Sequence, residues 1–460
     1  MISSTTNTTD LIFSSTRTVG AMVYLYNGDT LVSQYKNTDK IKSITIERIG
    51  DENKFFGYGV CQKLNLKLID TNRELDINTS HSIKVYFTVS KSYSCAFPLF
   101  YVSEVHRDEN TNELSITAYD LIYKASTHTV SELNLTAPYT ISSFISACAT
   151  LLGLAGVSRT NSSAFTDITY ETGANFDGTE TIREALDAAA EATQTIYYIK
   201  SGNYLCFRNL DMSGDAVLEI NKDRYFTLDS STNRRLATIC HATELGDNVS
   251  ASTTESGTTQ YIRNNPFWDL REDIATLVND ALAAVGGLTI NQFVCDWRGH
   301  FLLEVGDKIS LTTKDNNTVT SYVLNDVISY DGSYKQETQW NYEDNDTETE
   351  SNPATIGDAL KQTYARVDKV NKEIELVAGE VDANTEAISS LEINTEGISA
   401  SVTRVEENTT AALENVNGDI STLTQRVEAS MTSEDVTLQI QSELSNGVDK
   451  VTTYALEILI

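Results

Sequence analysis

Short runs of alternating apolar and polar residues dominate the first part of the chain. Between 21 and 119 the alternation predicts strands at 21–26, 30–35, 42–49, 62–69, 83–89, 99–106 and 114–119. The pattern is clearest where Ile44 and Ile46 alternate with polar residues, and where Leu64, Leu66 and Leu68 do the same. Asn27-Gly28 and the polar run from Asp108 to Asn112 supply turn chemistry between neighbours. From about 126 to 225 the apolar period lengthens. Thr140 is placed to cap a helix carrying Ile141, Phe144, Ile145, Cys148, Leu151 and Leu152 on one face, stopped by Gly153. The capping box Thr181-x-x-Glu184 opens a second helix through Ile182, Leu186 and Ala189, and a hairpin follows over 195–209 around Ser201-Gly202-Asn203. Alternation then returns. Strands are expected at 288–297, 309–313, 322–329 and 333–340, with one helix at about 268–285 between Pro266 and Gly286-Gly287.

The pattern changes again after an acidic stretch, Glu343 to Glu350. Written in sevens, one apolar seam reads Leu360, Val367, Ile374, Val381, Ile388, Val402, Val416 and Leu423. A second seam, three residues behind, includes Val370, Val377, Leu391, Ile398 and Val405. Such spacing predicts a left-handed coiled coil over 356–446, a rod on the order of 130 Å long at 1.5 Å per residue. A single helix cannot bury this stripe, so the chain is expected to be oligomeric. β-branched residues on both seams favour three strands over two. Val381-x-x-Asn384-Thr385, Leu391-x-x-Asn394-Thr395 and Val405-x-x-Asn408-Thr409 place polar layers in the seam. They resemble the asparagine layers of trimeric coiled coils in bacterial adhesins and phage fibres, where three inward asparagines hold an anion or water. A polar, threonine-rich rod surface would explain the same residues more simply. The ten-residue step between Asn384 and Asn394 implies a discontinuity that overwinds the coil locally.

The fold class expected from these patterns is mainly β with α+β. Two β-barrel-like domains, 1–125 and 226–342, flank a small α+β domain, 126–225. An acidic linker (343–355), the trimeric coiled coil (356–446) and a segment of unassigned fold (447–460) follow. The formal net charge of −31 disfavours a nucleic-acid grip and suits a passage along which DNA slides without adhering; plain solubility explains it equally well. The six cysteines form no C-x-x-C pair and read as reduced, buried side chains. Met1 to Asp10 has neither a basic region nor an apolar run, so no signal peptide is expected, and no stretch is apolar enough for a membrane span.

The chain contains no H-E-x-x-H, G-x-S-x-G or C-x-x-C motif, and its five histidines (81, 106, 128, 241 and 300) lie in five separate segments. Gly57-Tyr-Gly59 is followed by no G-K-[ST], so it is not a phosphate loop. Asp108-x-Asn110-x-Asn112 has the start of a calcium loop, but lacks its central glycine and has Tyr119 where the bidentate glutamate belongs. A hairpin turn accounts for it. No catalytic, cofactor-binding or metal-binding residues are expected, and no cofactor.

The order of domains resembles the tail hub (baseplate hub, tail-associated) proteins of tailed bacteriophages, the group that includes prophage tail endopeptidase-like proteins. The resemblance covers essentially the whole chain. Its most telling pieces are Thr179-Glu-Thr-Ile-Arg-Glu-Ala-Leu-Asp187 leading through Ile196–Ile199 to Tyr204–Arg208, then Asn265-Pro-Phe-Trp268, and Leu303-Glu-Val-Gly-Asp307. These are shared habits of composition and order, and none is a unique motif. The resemblance implies a homotrimer in the virion tail tip, assembled in the host cytoplasm. Its two β domains per chain would make a pseudo-six-fold ring matched to the tail tube, which closes the tube and opens for DNA ejection. Implied partners are the distal tail or tail tube protein, the tape measure protein, and tip fibres or receptor-binding proteins, with genome DNA passing unbound. Many members are longer. The apolar end Leu456-Glu-Ile-Leu-Ile460 fits either a short hub or a chain with a further domain beyond it. Two other readings compete: a trimeric receptor-binding fibre or adhesin whose β domains hold host glycan, and a tail lysin that cleaves cell wall, against which the missing motifs argue.

Overall fold

The structure is a computed structural model. It describes residues 6–14, 17–51, 53–89, 93–108, 110–160, 167–242, 248–269 and 271–340, and four short segments between 365 and 404. Met1–Asp344 and Asn345–Ile460 are two separate compact units.

In the first unit, α1 (Thr6–Phe13) precedes seven strands: β1 (Val19–Asn27), β2 (Thr30–Lys36), β3 (Ile41–Ile49), β4 (Tyr58–Ile69), β5 (His81–Val89), β6 (Tyr93–Asp108) and β7 (Glu113–Tyr119). All neighbours are antiparallel, in the spatial order β3-β4-β7-β6-β5-β1-β2. Alternation sets which side faces in. In β5, Ile83, Val85, Phe87 and Val89 are fully buried while Lys84, Tyr86 and Thr88 are only half-buried. The inward residues of these strands converge on one apolar cluster, which also takes in Ile12 of α1. The Asp108–Asn112 stretch is the β6–β7 turn, where Asn110 N donates to Asp108 Oδ1 at 2.8 Å and Asn112 takes a positive φ of 54°.

The middle of the unit holds α2 (Ile122–Ala125), β8 (Tyr139–Thr140), α3 (Ile141–Leu151), β9 (Gly156–Thr160), β10 (Thr169–Tyr170), α4 (Ile182–Ala192), β11 (Ile196–Lys200) and β12 (Tyr204–Arg208). Both expected caps form: Thr140 accepts from Ser143 N, and Thr181 and Glu184 cap each other's backbone. β11 and β12 make the expected hairpin, and β11 docks parallel to the start of β4 through Ile196↔Tyr58. Gly59 lies under the Tyr197 ring. A Cβ there would come within 2.4 Å of Cζ, so the close approach of strand to ring requires glycine.

The remainder comprises β13 (Leu218–Ile220), β14 (Tyr225–Ala242), β15 (Asn248–Ser252), β16 (Thr258–Arg263), α5 (Ile274–Val285), β17 (Thr289–Trp297), β18 (Lys308–Thr312), β19 (Thr318–Tyr322), β20 (Asn325–Tyr330) and β21 (Tyr334–Trp340). β20 pairs antiparallel with β3, from Asp326↔Arg48 to Tyr330↔Ile44. One sheet therefore runs unbroken from β2 through β3 and β20 to β15. The apolar core follows it across: Phe301, Leu302, Ile328, Tyr330 and Tyr334 belong to the same cluster as the inward faces of β1–β7.

Two expected boundaries are corrected. The helix expected from 268 starts at Ile274. Asn265 instead makes a tight turn in which Trp268 N and Asp269 N both donate to its carbonyl at 2.8 Å, and this turn buries Phe267 and Trp268 ahead of the helix. The strand expected over 322–329 is split. Val323 and Leu324 leave the ladder because Val323 donates to Asp307 O at 2.9 Å and accepts from Gly306 N at 2.7 Å.

In the second unit the described segments are the antiparallel strands β22 (Ala365–Asp368), β23 (Glu373–Ala378), β24 (Ser389–Asn394) and β25 (Ser399–Arg404). Of the seam positions, Val367, Ile374, Val377, Leu391 and Val402 fall in them, paired Val367↔Ile374 and Leu391↔Val402, and Asn394 ends β24. These segments are extended in the single chain, where the heptad reading expects helix in an assembly of chains. Leu360, Val381, Asn384, Ile388, Ile398, Val405, Asn408, Val416 and Leu423 lie outside the described residues.

Candidate functional site

The polar residues that sequence patterns single out meet in the interior of the first unit, at the places where its segments join. The turn 303–307 is the centre. Arg48, at an inward position of β3, pairs with the Asp326 carboxylate on β20 and donates through Nη1 to Leu303 O at 2.9 Å. Gln336 Nε2 adds a bond to Asp326 at 2.6 Å. From the other side, Arg208 at the end of β12 donates to Val305 O and to Asp307 Oδ1, each at 2.9 Å. Asp307 Oδ2 accepts from Glu304 N at 2.7 Å and closes the turn. Gly306 sits at φ 79° with its Cα side against Arg208; a Cβ would lie 2.9 Å from Arg208 Cδ. Leu303–Asp307 thus ties the first β region, the α+β region and the second β region through two buried guanidinium groups.

Burial alone would lower the pKa of a guanidinium, yet at Arg48 the Asp326 carboxylate outweighs it and raises the value. At Arg208 burial is again opposed, chiefly by Asp307, and the net shift is upward. Both remain charged, as a buried cation paired with a carboxylate should.

The Thr179–Asp187 segment has a similar use. Arg183 on α4 donates to Gly59 O at 3.0 Å and to Cys61 Sγ at 2.9 Å on β4, and contacts Asp187 at 3.3 Å. Asp187 in turn accepts from Gly59 N at 3.1 Å and from Tyr197 OH at 2.8 Å. In Asn265–Trp268, the Asn265 side chain donates to Ala188 O and to Glu191 Oε2, each at 3.0 Å, while accepting from Phe267 N at 3.0 Å. These residue types could serve chemistry, but here each is occupied in holding one segment against another.

A further clamp fastens the N-terminal segment. Arg17 donates to Ile12 O at 2.9 Å, Arg298 O at 2.7 Å and Tyr334 O at 3.0 Å. Arg298 answers by donating to Phe13 O at 3.1 Å and Ser14 O at 2.9 Å. Phe13 lies 5.5 Å from the ring of His300, under the guanidinium of Arg224 at 4.0 Å. His300 is fully buried and its ring nitrogens have no hydrogen-bond partner among the described residues. Burial pushes its pKa down to about 4.

Three other histidines have side-chain partners: His81 with Asn78, His128 with Glu132 at 2.8 Å, and His241 with Asp269 at 3.0 Å. All six cysteines are free, and five of them are buried. Among the described residues no group of three or more His, Cys, Asp and Glu side chains is placed to hold a metal. An open, polar cleft of about 650 Å³ lies between residues 169–175 and 266–273, with Arg271 bound to Asp273 and stacked over Tyr170. No helix among the described residues is long and apolar enough to cross a membrane.

Sequence reasoning picked out the 179–187, 265–268 and 303–307 segments as characteristic. It missed Arg48 and Asp326, which hold the 303–307 turn, and the separate clamp of Arg17. An arginine at an inward position of an alternating strand, as at Arg48, is the one local sign that a buried carboxylate must face it.

No protein-family model matches the chain, and no curated protein matches it in sequence. Among solved structures it is similar to the tail protein from Neisseria meningitidis MC58, at 11% identity and a TM-score of 0.47, covering 71% of this chain and 97% of that one. The 43 kDa tail protein of prophage MuSo2 from Shewanella oneidensis is similar at 12% identity and a TM-score of 0.45, covering 69% of this chain and 95% of that one. A type VI secretion system component from E. coli, described as structurally similar to bacteriophage T4 tail proteins, aligns at 8% identity and a TM-score of 0.38, over 80% of this chain and 96% of that one.

Proposed function

We propose that this chain is a structural tail hub protein of a phage-type particle, acting as a homotrimer. It resides in the virion tail tip or baseplate, a reading supported by the similar structures named as tail proteins. The observation that carries the reading is the turn 303–307. Arg48 from the first β region and Arg208 from the α+β region are both seated on it, beside the β3–β20 ladder that merges two β regions into one sheet. Buried ion pairs hold their geometry at the expense of desolvation, and their best-attested use is to fix one arrangement rather than to add stability. A chain with two β regions locked at a fixed angle is suited to contribute two neighbouring segments of a ring.

In this account three chains close the distal end of the tail tube and adapt its symmetry to three-fold tip structures. The heptad-bearing segment, 356–446, forms a three-stranded coiled coil with Leu360, Val367, Ile374, Val381, Ile388, Leu391, Ile398, Val402, Val405, Val416 and Leu423 in its core. Asn384, Asn394 and Asn408 are its polar layers. The general acidity of the chain keeps passing DNA from adhering. Partners are the tail tube or distal tail protein above, the tape measure protein in the lumen, and fibres or receptor-binding proteins below. Electron microscopy of the purified protein tests the assembly: the proposal expects three-fold rings bearing a stalk, and isolated single chains at micromolar concentration would overturn it.

A further inference from the structure

We infer that the outer face and free edge of the β2–β1–β5 layer form a contact between copies of this chain; the inference deepens the trimer reading and rests on it. The register of the three strands sets one side chain of each against the next. Tyr24 stands opposite Lys84 on β5 and Gln34 on β2, Met22 opposite Tyr86 and Lys36, and Tyr26 opposite Leu31. Ala21, Val23 and Leu25 fill the inward positions of β1, so these residues share the outer face. Tyr24 packs edge-on against Tyr86 at 5.0 Å, and Lys84 lies over the Tyr86 ring at 5.7 Å. Leu31 and Val32 are each 49% exposed.

Two independent features point to a second copy as the occupant. The first is the edge. Among the described residues β2 pairs only with β1, so its other side offers a row of backbone donors and acceptors. Its protection is slight: one register irregularity opposite Leu25 and Tyr26, and Lys36 at its end, with no proline. The second is charge. Lys36 and Lys84 mark this aromatic face on a chain whose net charge is −31, and Asp29 is the acidic residue in the connecting turn. The surface most available to complement a cationic, tyrosine-rich face is the acidic surface of another copy, and tyrosine is the residue type that anchors such contacts.

Zero-length carbodiimide cross-linking of the full chain tests this, using an equal mixture of 14N and 15N protein and reading isotopically mixed links by mass spectrometry. The inference expects Lys36 and Lys84 to link to carboxylates of the other isotope. In K36E/K84E those links should vanish and the Thr30–Lys36 amides should exchange roughly tenfold faster, while the solution mass stays at three chains. Mixed links that persist from other lysines but never from Lys36 or Lys84, in a sample whose mass is three chains, would overturn this contact and leave the trimer standing. A single-chain mass for the unmodified protein would overturn both.

Discussion

Arg208 Nη2 donates to Asp307 Oδ1 at 2.9 Å across 99 residues of sequence, and the same guanidinium holds Val305 O. Together with Arg48 on Leu303 O, this makes a single five-residue turn the meeting point of three segments. Removing one partner of a buried pair leaves the other uncompensated, at a cost of about 3–5 kcal/mol. Arg208→Met should therefore lower urea-unfolding stability by about that amount. The double variant R208M/D307M should cost clearly less than the sum of the two single changes. Additive losses would show that the two groups do not act as a pair.

Gly306 tests the same turn through the backbone. Its φ of 79° and the 2.9 Å approach of a Cβ to Arg208 Cδ both resist a side chain. Gly306→Ala should destabilise by about 1–3 kcal/mol in the same assay. A neutral result would mean the turn relaxes without disturbing Arg208.

His300 gives the fold a dependence on pH. Its folded pKa, about 4, lies below the ordinary histidine value of 6.5, so the unfolded chain takes up a proton that the folded chain refuses. The stability conferred by keeping it neutral is complete above pH 6.5 and is lost as pH falls from there toward 4. The loss proceeds at about 1.4 kcal/mol per pH unit, or about 3 kcal/mol in all. Arg17, Arg224 and Arg298 surround the Phe13 contact and offer the imidazolium no relief, while Asp307 acts in the opposite sense and does not outweigh burial. His300→Phe should flatten this part of the stability profile between pH 6.5 and 4.5. An unchanged slope would assign the effect to other groups.

Much of this fold is local and was therefore legible. Alternation in β3, β4 and β5, the caps at Thr140 and Thr181, and the β11–β12 hairpin all depend on residues within a few positions of one another. The errors came where distant residues decide. Val323 leaves its strand because Gly306 and Asp307 capture its backbone, and Trp268 stays out of the helix because Asn265, whose side chain is held by Ala188 and Glu191 of α4, turns the chain to bury it. β14 escaped notice since its first half is largely exposed and polar, its place secured by cross-strand pairing with β17. Arg48 and Asp326 are 278 residues apart, and no periodicity links them. The sequence motifs of the candidate site were recognised as characteristic, whereas their use as junctions appears only once the sheet is assembled.

The asparagine layers of the proposed rod are testable by themselves. Replacing Asn384 and Asn408 with Ile removes two polar groups from the expected core and should raise the thermal midpoint of the helical circular dichroism signal, while loosening register. Complete loss of oligomer in N384I/N408I would contradict their placement in the seam.

The central claim is that three chains assemble, and the most direct measurement is the absolute mass in solution by light scattering. The full chain should be measured beside a truncation ending at Glu343, which removes the heptad segment. The account predicts a mass near three times 50.8 kDa for the full chain and weakened self-association for the truncation. A full chain that remains at one or two copies across the accessible concentration range would contradict it.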